Sequence, residues 1–161
     1  MTGLAFTYGQ ERKYTKAEAL YARALELRQK VLGREHPMTL STMIDLGWVW
    51  VEQNKNTRAE STFRDVLRSY EKSGADEWNR YYCKSLLGAS LAGQKRYAEA
   101  EPLLLSGYHG LKQRQAAIEA ADRFVLAESA KQIVALYRAW GKPAQAAEWR
   151  SKLQVRESPA Q

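Results

Sequence analysis

The residues of this chain that could carry catalysis or hold a metal are few and widely separated. The sequence has one cysteine, Cys83, and two histidines, His36 and His109. This set lacks the ligand number and spacing of a zinc site. Cys83 lies close to the apolar pair Leu86 and Leu87, which indicates a buried, inert thiol, because reactive thiols need an electropositive and accessible setting. We expect His109 to be a surface or half-buried residue of a helix.

Two further motifs match catalytic or nucleotide-binding signatures only in part. Gly141 and Lys142 are followed by Pro143, where a phosphate-binding loop needs a hydroxyl residue to hold magnesium. Glu99 and Glu101 lie near the predicted start of a helix, where the helix dipole favours acidic residues without any acid–base role. We therefore predict a protein that is not an enzyme and that has no catalytic residue, cofactor or metal.

The net charge of +7 raises the question of nucleic-acid binding. A nucleic-acid interface gathers its cations on one face, whereas here they run from Arg12 to Arg156 among acidic residues. Several acid–base pairs have the three- or four-residue spacing that stabilises exposed helix faces. These pairs are Glu60/Arg64, Asp65/Arg68 and Glu148/Lys152. The pattern favours a solvated surface, and a nucleic-acid-binding helical repeat remains as an alternative.

The composition is that of a folded domain in a reducing compartment. Of the 161 residues, 45% are hydrophobic and 11% are aromatic, which is far from a disordered composition. The sequence has no apolar run long enough for a membrane-spanning helix, and its first residues lack the order of a signal peptide. A single cysteine excludes an intrachain disulfide. We expect a cytoplasmic protein that does not bind membranes.

A pattern of residue types recurs four times and predicts the fold. Its clearest mark is an alanine that returns after 42, 41 and 46 residues, and an aromatic residue or leucine precedes each alanine by nine positions. The alanines are Ala17, Ala59, Ala100 and Ala146, and the preceding residues are Tyr8, Trp50, Leu91 and Tyr137. A fixed period of this size indicates a stacked array of helices.

Each repeat is predicted to form two helices. Apolar residues recur at the spacing of one helix face, and short polar breaks separate the two stripes at residues 10–13, 54–57, 93–96 and 141–143. Gly33 is placed to end the second helix, and His36-Pro37 to begin the third. We predict an all-α chain of eight helices in four repeats, at about 1–35, 36–77, 78–121 and 122–153. Residues 154–161 are predicted to form a flexible tail.

This pattern resembles the tetratricopeptide repeat, W-x2-L-G-x2-Y followed by A-x3-F. The period of about 42 residues resembles the variant found in kinesin light chains and in bacterial signalling proteins, including C-terminal regions of serine/threonine kinases. The segments that carry this resemblance are residues 31–37 and 96–101. It implies a right-handed α-solenoid over residues 1–153 and a protein-interaction scaffold.

The resemblance also implies a concave groove lined by the first helix of each repeat. The groove positions correspond to Phe6, Ile44, Trp48, Val51, Tyr82, Ser85, Lys131 and Arg138. One half of this set is apolar and aromatic, and the other is basic. We expect the groove to bind a protein or peptide segment with a bulky apolar anchor and an acidic flank. The alternative is that a neighbouring element buries the apolar stripe.

The start of the chain suggests a piece of a longer protein. Met1 falls on the fourth position of the first repeat helix, so we expect an uncapped end and a larger bacterial signalling protein around it. An end that exposes Leu4, Tyr8 and Tyr21 is predicted to self-associate. The corresponding alternative function is an oligomerisation or autoregulatory module of a serine/threonine kinase.

Overall fold

The protein is all-α, as predicted. A computed structural model describes residues 1–157, and within them it has eight α-helices, two short 3₁₀ segments and no β-strand. The helices are α1 (Thr2–Gln10), α2 (Tyr14–Leu32), α3 (Pro37–Glu52), α4 (Asn56–Ser73), α5 (Trp78–Gly93), α6 (Tyr97–Gln113), α7 (Phe124–Ala139) and α8 (Pro143–Glu157). The predicted number and order of helices are confirmed.

The last helix extends past the predicted end of the repeat region. We placed that end at residue 153, and α8 continues to Glu157. Residues 158–161, the remainder of the predicted tail, lie outside the described residues.

The chain divides into two compact units. The N-terminal unit is Met1–Asp76, with α1 to α4, and the C-terminal unit is Glu77–Gln161, with α5 to α8. In the N-terminal unit α2 packs against α1 and α3, and α3 packs against α4. In the C-terminal unit α6 packs against α5 and α7, and α7 packs against α8. Within each unit the helices therefore pack on their neighbours in sequence, as in helix-turn-helix repeats.

The turn inside each helix pair has the same geometry four times. One residue adopts the left-handed conformation, with φ between 58° and 74°, at Arg12, Asn54, Lys95 and Gly141. The next amide donates to a carbonyl five residues back, as from Lys55 to Trp50 at 2.8 Å. The left-handed residue donates to a carbonyl three residues back, which completes a Schellman motif. These turns lie in the predicted polar breaks.

The two helices of a repeat approach closely where one of them carries glycine. A Cβ atom on Gly47 of α3 would lie 2.4 Å from the ring of Phe63 of α4, and one on Gly88 of α5 would lie 2.7 Å from Leu104 of α6. Phe63 and Leu104 are fully buried. The motif alanine Ala59 is also fully buried. These positions admit no larger residue without moving the helices apart.

The ends of α2 and α3 form as the sequence predicts. Gly33 follows α2 with φ 92°, a conformation that L-amino acids rarely adopt. The His36 Nδ1 atom accepts a hydrogen bond from the Met38 amide at 3.2 Å. Pro37 takes the first helical position, where its missing amide hydrogen has no cost.

The fourth repeat differs from the sequence prediction at two core residues. Arg150 lies four residues after Ala146, where the pattern A-x3-F predicts a bulky core residue, and it is exposed. Trp149 is buried there instead, edge-on to Tyr108 with ring centroids 4.9 Å apart. In the segment between α6 and α7, at the end of the third repeat, Ile118 is also buried, with 2% of its side chain exposed. When the expected core position of a helix holds a charged residue, a neighbouring apolar residue can fill the core in its place, as Trp149 does here.

We predict that Gly47→Ala destabilises the N-terminal unit by about 1 to 3 kcal/mol, because the new methyl group overlaps the Phe63 ring. Urea unfolding followed by circular dichroism measures the change. Gly3→Ala is the matched control, since Gly3 lies in a helix with no atom within 4 Å of its Cβ position. Equal stability of Gly47→Ala and the parent would show that the register of α3 on α4 is wrong.

A second prediction concerns the left-handed turn of the fourth repeat. Gly141→Ala should cost about 1 kcal/mol, because its φ of 74° is unfavourable for alanine. Gly141→Asn should lose less, since asparagine tolerates this conformation and Asn54 has it in the second repeat. Thermal melts of the two variants compare them directly, and the same loss in both would contradict the turn geometry.

Candidate partner-binding surface

The N-terminal unit brings two of the predicted groove residues together. Phe6 of α1 and Trp48 of α3 have ring centroids 6.2 Å apart, with planes inclined by 36°. Both side chains are half-buried, as is Val51, which lies three residues after Trp48 on α3. We call Phe6, Trp48 and Val51 the aromatic cluster. It combines an apolar surface with partial exposure to solvent.

Gly9 of α1 creates the space that the Trp48 indole fills. A Cβ atom at this position would lie 2.5 Å from the Trp48 ring. The indole therefore rests on the backbone of α1 and is held in one place while part of its surface stays exposed. A rigid, partly exposed indole is well suited to contact a partner, because little side-chain entropy remains to be lost.

The fourth predicted residue of the N-terminal unit, Ile44, is not part of an accessible surface. Its side chain is 1% exposed. It lies on α3, which packs against α1, α2 and α4. The alternative that a neighbouring element buries the apolar stripe therefore holds for Ile44 and not for Trp48.

The C-terminal unit does not present the tyrosine and serine that we expected in the groove. Tyr82 is 5% exposed and Ser85 is fully buried. A Cβ atom on Gly107 of α6 would lie 2.7 Å from the Ser85 backbone nitrogen, so Ser85 marks the crossing of α5 and α6. Its hydroxyl has no hydrogen-bond partner. The assignment of both residues to an accessible groove is corrected by this packing.

The two cations predicted for the groove are accessible. Lys131 and Arg138 lie on α7 and are exposed. Their separation of seven residues places them on the same face of the helix. The C-terminal unit therefore offers a small basic surface on α7 in place of the expected mixed groove.

Only part of the expected apolar end at α1 is exposed. Leu4 is 52% exposed, Tyr8 is half-buried and Tyr21 is 1% exposed. The Nζ atoms of Lys13 and Lys16 lie 5.8 Å and 5.5 Å from the centroid of the Tyr8 ring. The assignment of Tyr21 to this surface was wrong, because the residue packs inside the first repeat as a core side chain.

Sequence reasoning missed a carboxylate that links successive repeats in the N-terminal unit. Glu18 follows the motif alanine of the first repeat, and its Oε1 accepts from the Trp50 indole at 2.9 Å. Its Oε2 accepts from the Lys55 ammonium at 2.8 Å. The Arg58 guanidinium lies 4.1 Å from the Trp50 ring centroid. Trp50 thus joins the hydrophobic core to a charged pair at the edge of the repeat.

The C-terminal unit has the same contact at the equivalent positions. Glu101 follows Ala100, and its Oε1 accepts from the Tyr137 hydroxyl at 2.8 Å. The Lys142 ammonium lies 3.8 Å from Glu101. Desolvation and the bond to Glu101 raise the pKa of Tyr137 to about 12. The signal in the sequence is an acid directly after the motif alanine, together with a donor at the aromatic position of the following repeat.

The pKa of Glu18 shows that its charged form is stabilised in the folded protein. Desolvation alone raises the pKa, but hydrogen bonds from Lys55, Trp50 and Gln53 outweigh it and lower the pKa below its usual value. A lowered pKa contributes stability above the unfolded value, near 4.5, and this stability is lost as pH falls through the folded pKa.

Surface charges pair as the sequence predicts. Glu60 binds Arg64 at 2.8 Å, Asp65 binds Arg68 at 3.0 Å and Glu148 binds Lys152 at 2.7 Å. Such exposed pairs contribute little to stability, but they neutralise cations that a phosphate-binding stripe would need.

Cys83 and His109, the two residues weighed above for chemistry, lie in the core and on the surface of the C-terminal unit. Cys83 is fully buried, and desolvation raises the pKa of its thiol. His109 is exposed on α6. In residues 1–157, no three His, Cys, Asp or Glu side chains gather as a metal site requires. No helix in this described range is both long and apolar enough to cross a membrane.

We predict that Glu18→Gln lowers stability by about 1 kcal/mol at pH 7, because the charge-assisted bond from Lys55 is weakened. The difference from the parent should vanish as pH falls well below 4.5 and the parent carboxylate is protonated. Chemical unfolding at several pH values measures this. Glu26→Gln, on the exposed side of α2, is the control and should show no such difference. A loss that is independent of pH would contradict the assignment.

Comparison with known proteins supports this arrangement of helices. No curated protein matches the chain in sequence. Residues 1–72 match the tetratricopeptide repeat family. The crystal structure of BtubC (BKLC) from P. vanneervenii superposes with a TM-score of 0.69 at 14% identity, covering 99% of this chain and 65% of that one. The present chain thus spans less than two thirds of that protein.

A second similar structure is a crystal structure of TPR-like repeats that are described as nearly identical to one another and as those of a kinesin light chain from Podosopora anserina. It has a TM-score of 0.63 at 18% identity and covers 94% of this chain and 70% of that one. At these identities the likeness concerns the fold alone. Residues 1–72 are therefore similar to the tetratricopeptide repeat family, and the chain shares its helical fold with kinesin-light-chain-like repeat structures over nearly its full length.

Proposed function

We propose that this chain is a non-enzymatic protein-interaction module whose N-terminal unit binds a bulky apolar side chain of a partner at the aromatic cluster. Tetratricopeptide repeats generally act as protein-interaction modules, and residues 1–72 match that family. The observation that supports the site is the half-buried pair of Phe6 and Trp48, held at 6.2 Å on α1 and α3. Cys83 is the single cysteine of the chain and is buried, which suits a reducing cytoplasmic setting.

The physical basis of binding is desolvation of the aromatic cluster. An aromatic side chain in a preformed, partly buried position gains contact area at low entropic cost, and such residues carry most of the energy of many interfaces. Trp48 already rests against Gly9 on one side. A partner side chain that covers the other side completes its burial.

We propose that Lys131 and Arg138 provide a separate contact for acidic residues of a partner. Both are exposed on α7 and form no ion pair with any residue in the described part of the chain. Exposed cations act mainly on the association rate and on its salt dependence. The proposed partner is therefore a segment with an apolar anchor and acidic residues. We further propose that the chain is part of a larger, bacterial multidomain signalling protein.

The second candidate function is an oligomerisation or autoregulatory module, as in a serine/threonine kinase. The observation that favours it is the exposure of Leu4, at 52%, on α1. Sedimentation of the parent and of Leu4→Ser at high concentration separates the two functions, because only self-association makes the substitution change the apparent mass. Nucleic-acid binding is tested by a salt titration against RNA and DNA.

We predict that Trp48→Ala weakens binding of a selected peptide at least about 30-fold, equivalent to roughly 2 kcal/mol. The peptide comes from a random display library screened against the whole chain. Trp78→Ala is the matched control, because Trp78 is also half-buried but lies in the C-terminal unit, on a different helix from Lys131 and Arg138. Arg138→Glu should slow association and reduce its salt dependence.

The unmutated protein provides an independent measurement for this prediction. The indole N–H signal of Trp48 should shift when the peptide is added, whereas that of Trp78 should stay in place. This matters because Trp48→Ala also removes packing against Gly9. Peptide binding without a shift of the Trp48 signal would contradict the proposed site even if the variant proved unstable.

A further inference from the structure

Helix α2 carries an apolar stripe on its outer face that the aromatic cluster does not use. Val31 is 76% exposed, Leu27 is 48% exposed and Leu20 is half-buried. Ala24 lies between them and is buried. Leu20, Ala24, Leu27 and Val31 follow one another at steps of four, three and four residues, which is the spacing of a coiled-coil seam. We call these four residues the α2 seam.

A row of cations flanks the α2 seam on one side. Lys16, Arg23 and Lys30 recur every seven residues along α2. Arg23 and Lys30 each directly precede an apolar residue of the seam, which is the position that pairs with a partner helix in a coiled coil. Both are exposed, and neither side chain forms a hydrogen bond or ion pair with another described side chain. The Lys16 ammonium lies 5.5 Å from the centroid of the Tyr8 ring.

The face of α2 that packs in the core of the first repeat lies beside the α2 seam and shares Ala24 with it. Ala17 and Tyr21 on that face are at most 1% exposed, and α2 packs against α1 and α3. The apolar surface of the helix is thus wider than the part that the protein itself covers, and it continues to the exposed side chains of Leu27 and Val31. An exposed apolar margin with a basic border is a surface for a partner.

We propose that the α2 seam binds a helix of a partner protein whose own apolar seam is flanked by acidic residues at heptad spacing. Arg23 and Lys30 are seven residues apart, so they favour a partner helix whose acidic residues have the same heptad spacing. In coiled coils, such flanking charges determine partner choice. A second copy of α2 in antiparallel orientation sets these cations against one another and is repelled. An extended peptide does not match the spacing. This surface lies on a different helix from the aromatic cluster.

The experiment uses the full chain and a fluorescein-labelled synthetic helix of about three heptads, with leucine at its seam and glutamate at its flanking positions. A second peptide has lysine in place of each glutamate. The acidic peptide should bind at least about tenfold more tightly than the basic one. The double variant Arg23→Glu/Lys30→Glu should reverse this preference. Lys112→Glu/Arg150→Glu, with the same change in charge at exposed positions of the C-terminal unit, should leave it unchanged.

Two further variants test the apolar part of the surface and its independence. Val31→Gln should weaken binding of the acidic peptide without changing the melting temperature, because Val31 is 76% exposed. Trp48→Ala should bind the acidic peptide as the parent does, so that a failure of the aromatic cluster and a failure of the α2 seam give different results.

Three outcomes would overturn the proposal. The first is equal affinity for the two peptides, or affinity that is insensitive to Arg23→Glu/Lys30→Glu. The second is a dimer in sedimentation that Val31→Gln abolishes, which assigns the face to a second copy. The third is binding of phosphatidylserine vesicles, lost in Arg23→Glu/Lys30→Glu, without binding of the acidic peptide, which assigns the face to a membrane surface.

Discussion

The close approach of the two helices within a repeat is the constraint on which the rest of the structure depends. Gly47 leaves room for the ring of Phe63, and Gly88 leaves room for Leu104. Because the helix axes approach so closely, only one face of each helix can lie in the contact. This fixes which residues point away from the pair, and therefore which of them pack on the next repeat and which remain for partners.

A second interaction joins one helix pair to the next inside each unit. Glu18 binds Trp50 and Lys55, and Glu101 binds Tyr137. The apolar body of each aromatic residue is buried in its repeat while its polar atom reaches a carboxylate at the edge. A bond of this kind has direction as well as strength, so it helps to define the register between repeats, which hydrophobic contact alone leaves adjustable.

The fold could be predicted because its signals are periodic. The alanine spacing, the polar breaks and Gly33 each report local backbone geometry, and all of them agree with eight helices. The candidate site was harder, because exposure depends on which helix crosses at each point. Ser85 is polar and its sequence position suggests a surface residue, but α6 packs closely against it at Gly107. Trp149 took the core position assigned to Arg150 because tryptophan gains far more from burial than a charged side chain does.

The two proposed surfaces of the N-terminal unit differ in how strongly binding depends on charge. The cations on α4 of this unit are mostly paired with nearby acids, as Arg64 is with Glu60. Paired cations contribute little to the electrostatic attraction of a distant partner. Arg23 and Lys30 are not paired in this way. Binding at the α2 seam depends on attraction between opposite charges and therefore weakens with salt. The apolar contact at the aromatic cluster depends on desolvation and is nearly independent of salt, which acts on that partner only through Lys131 and Arg138. Salt dependence thus distinguishes the two surfaces even before a partner is known.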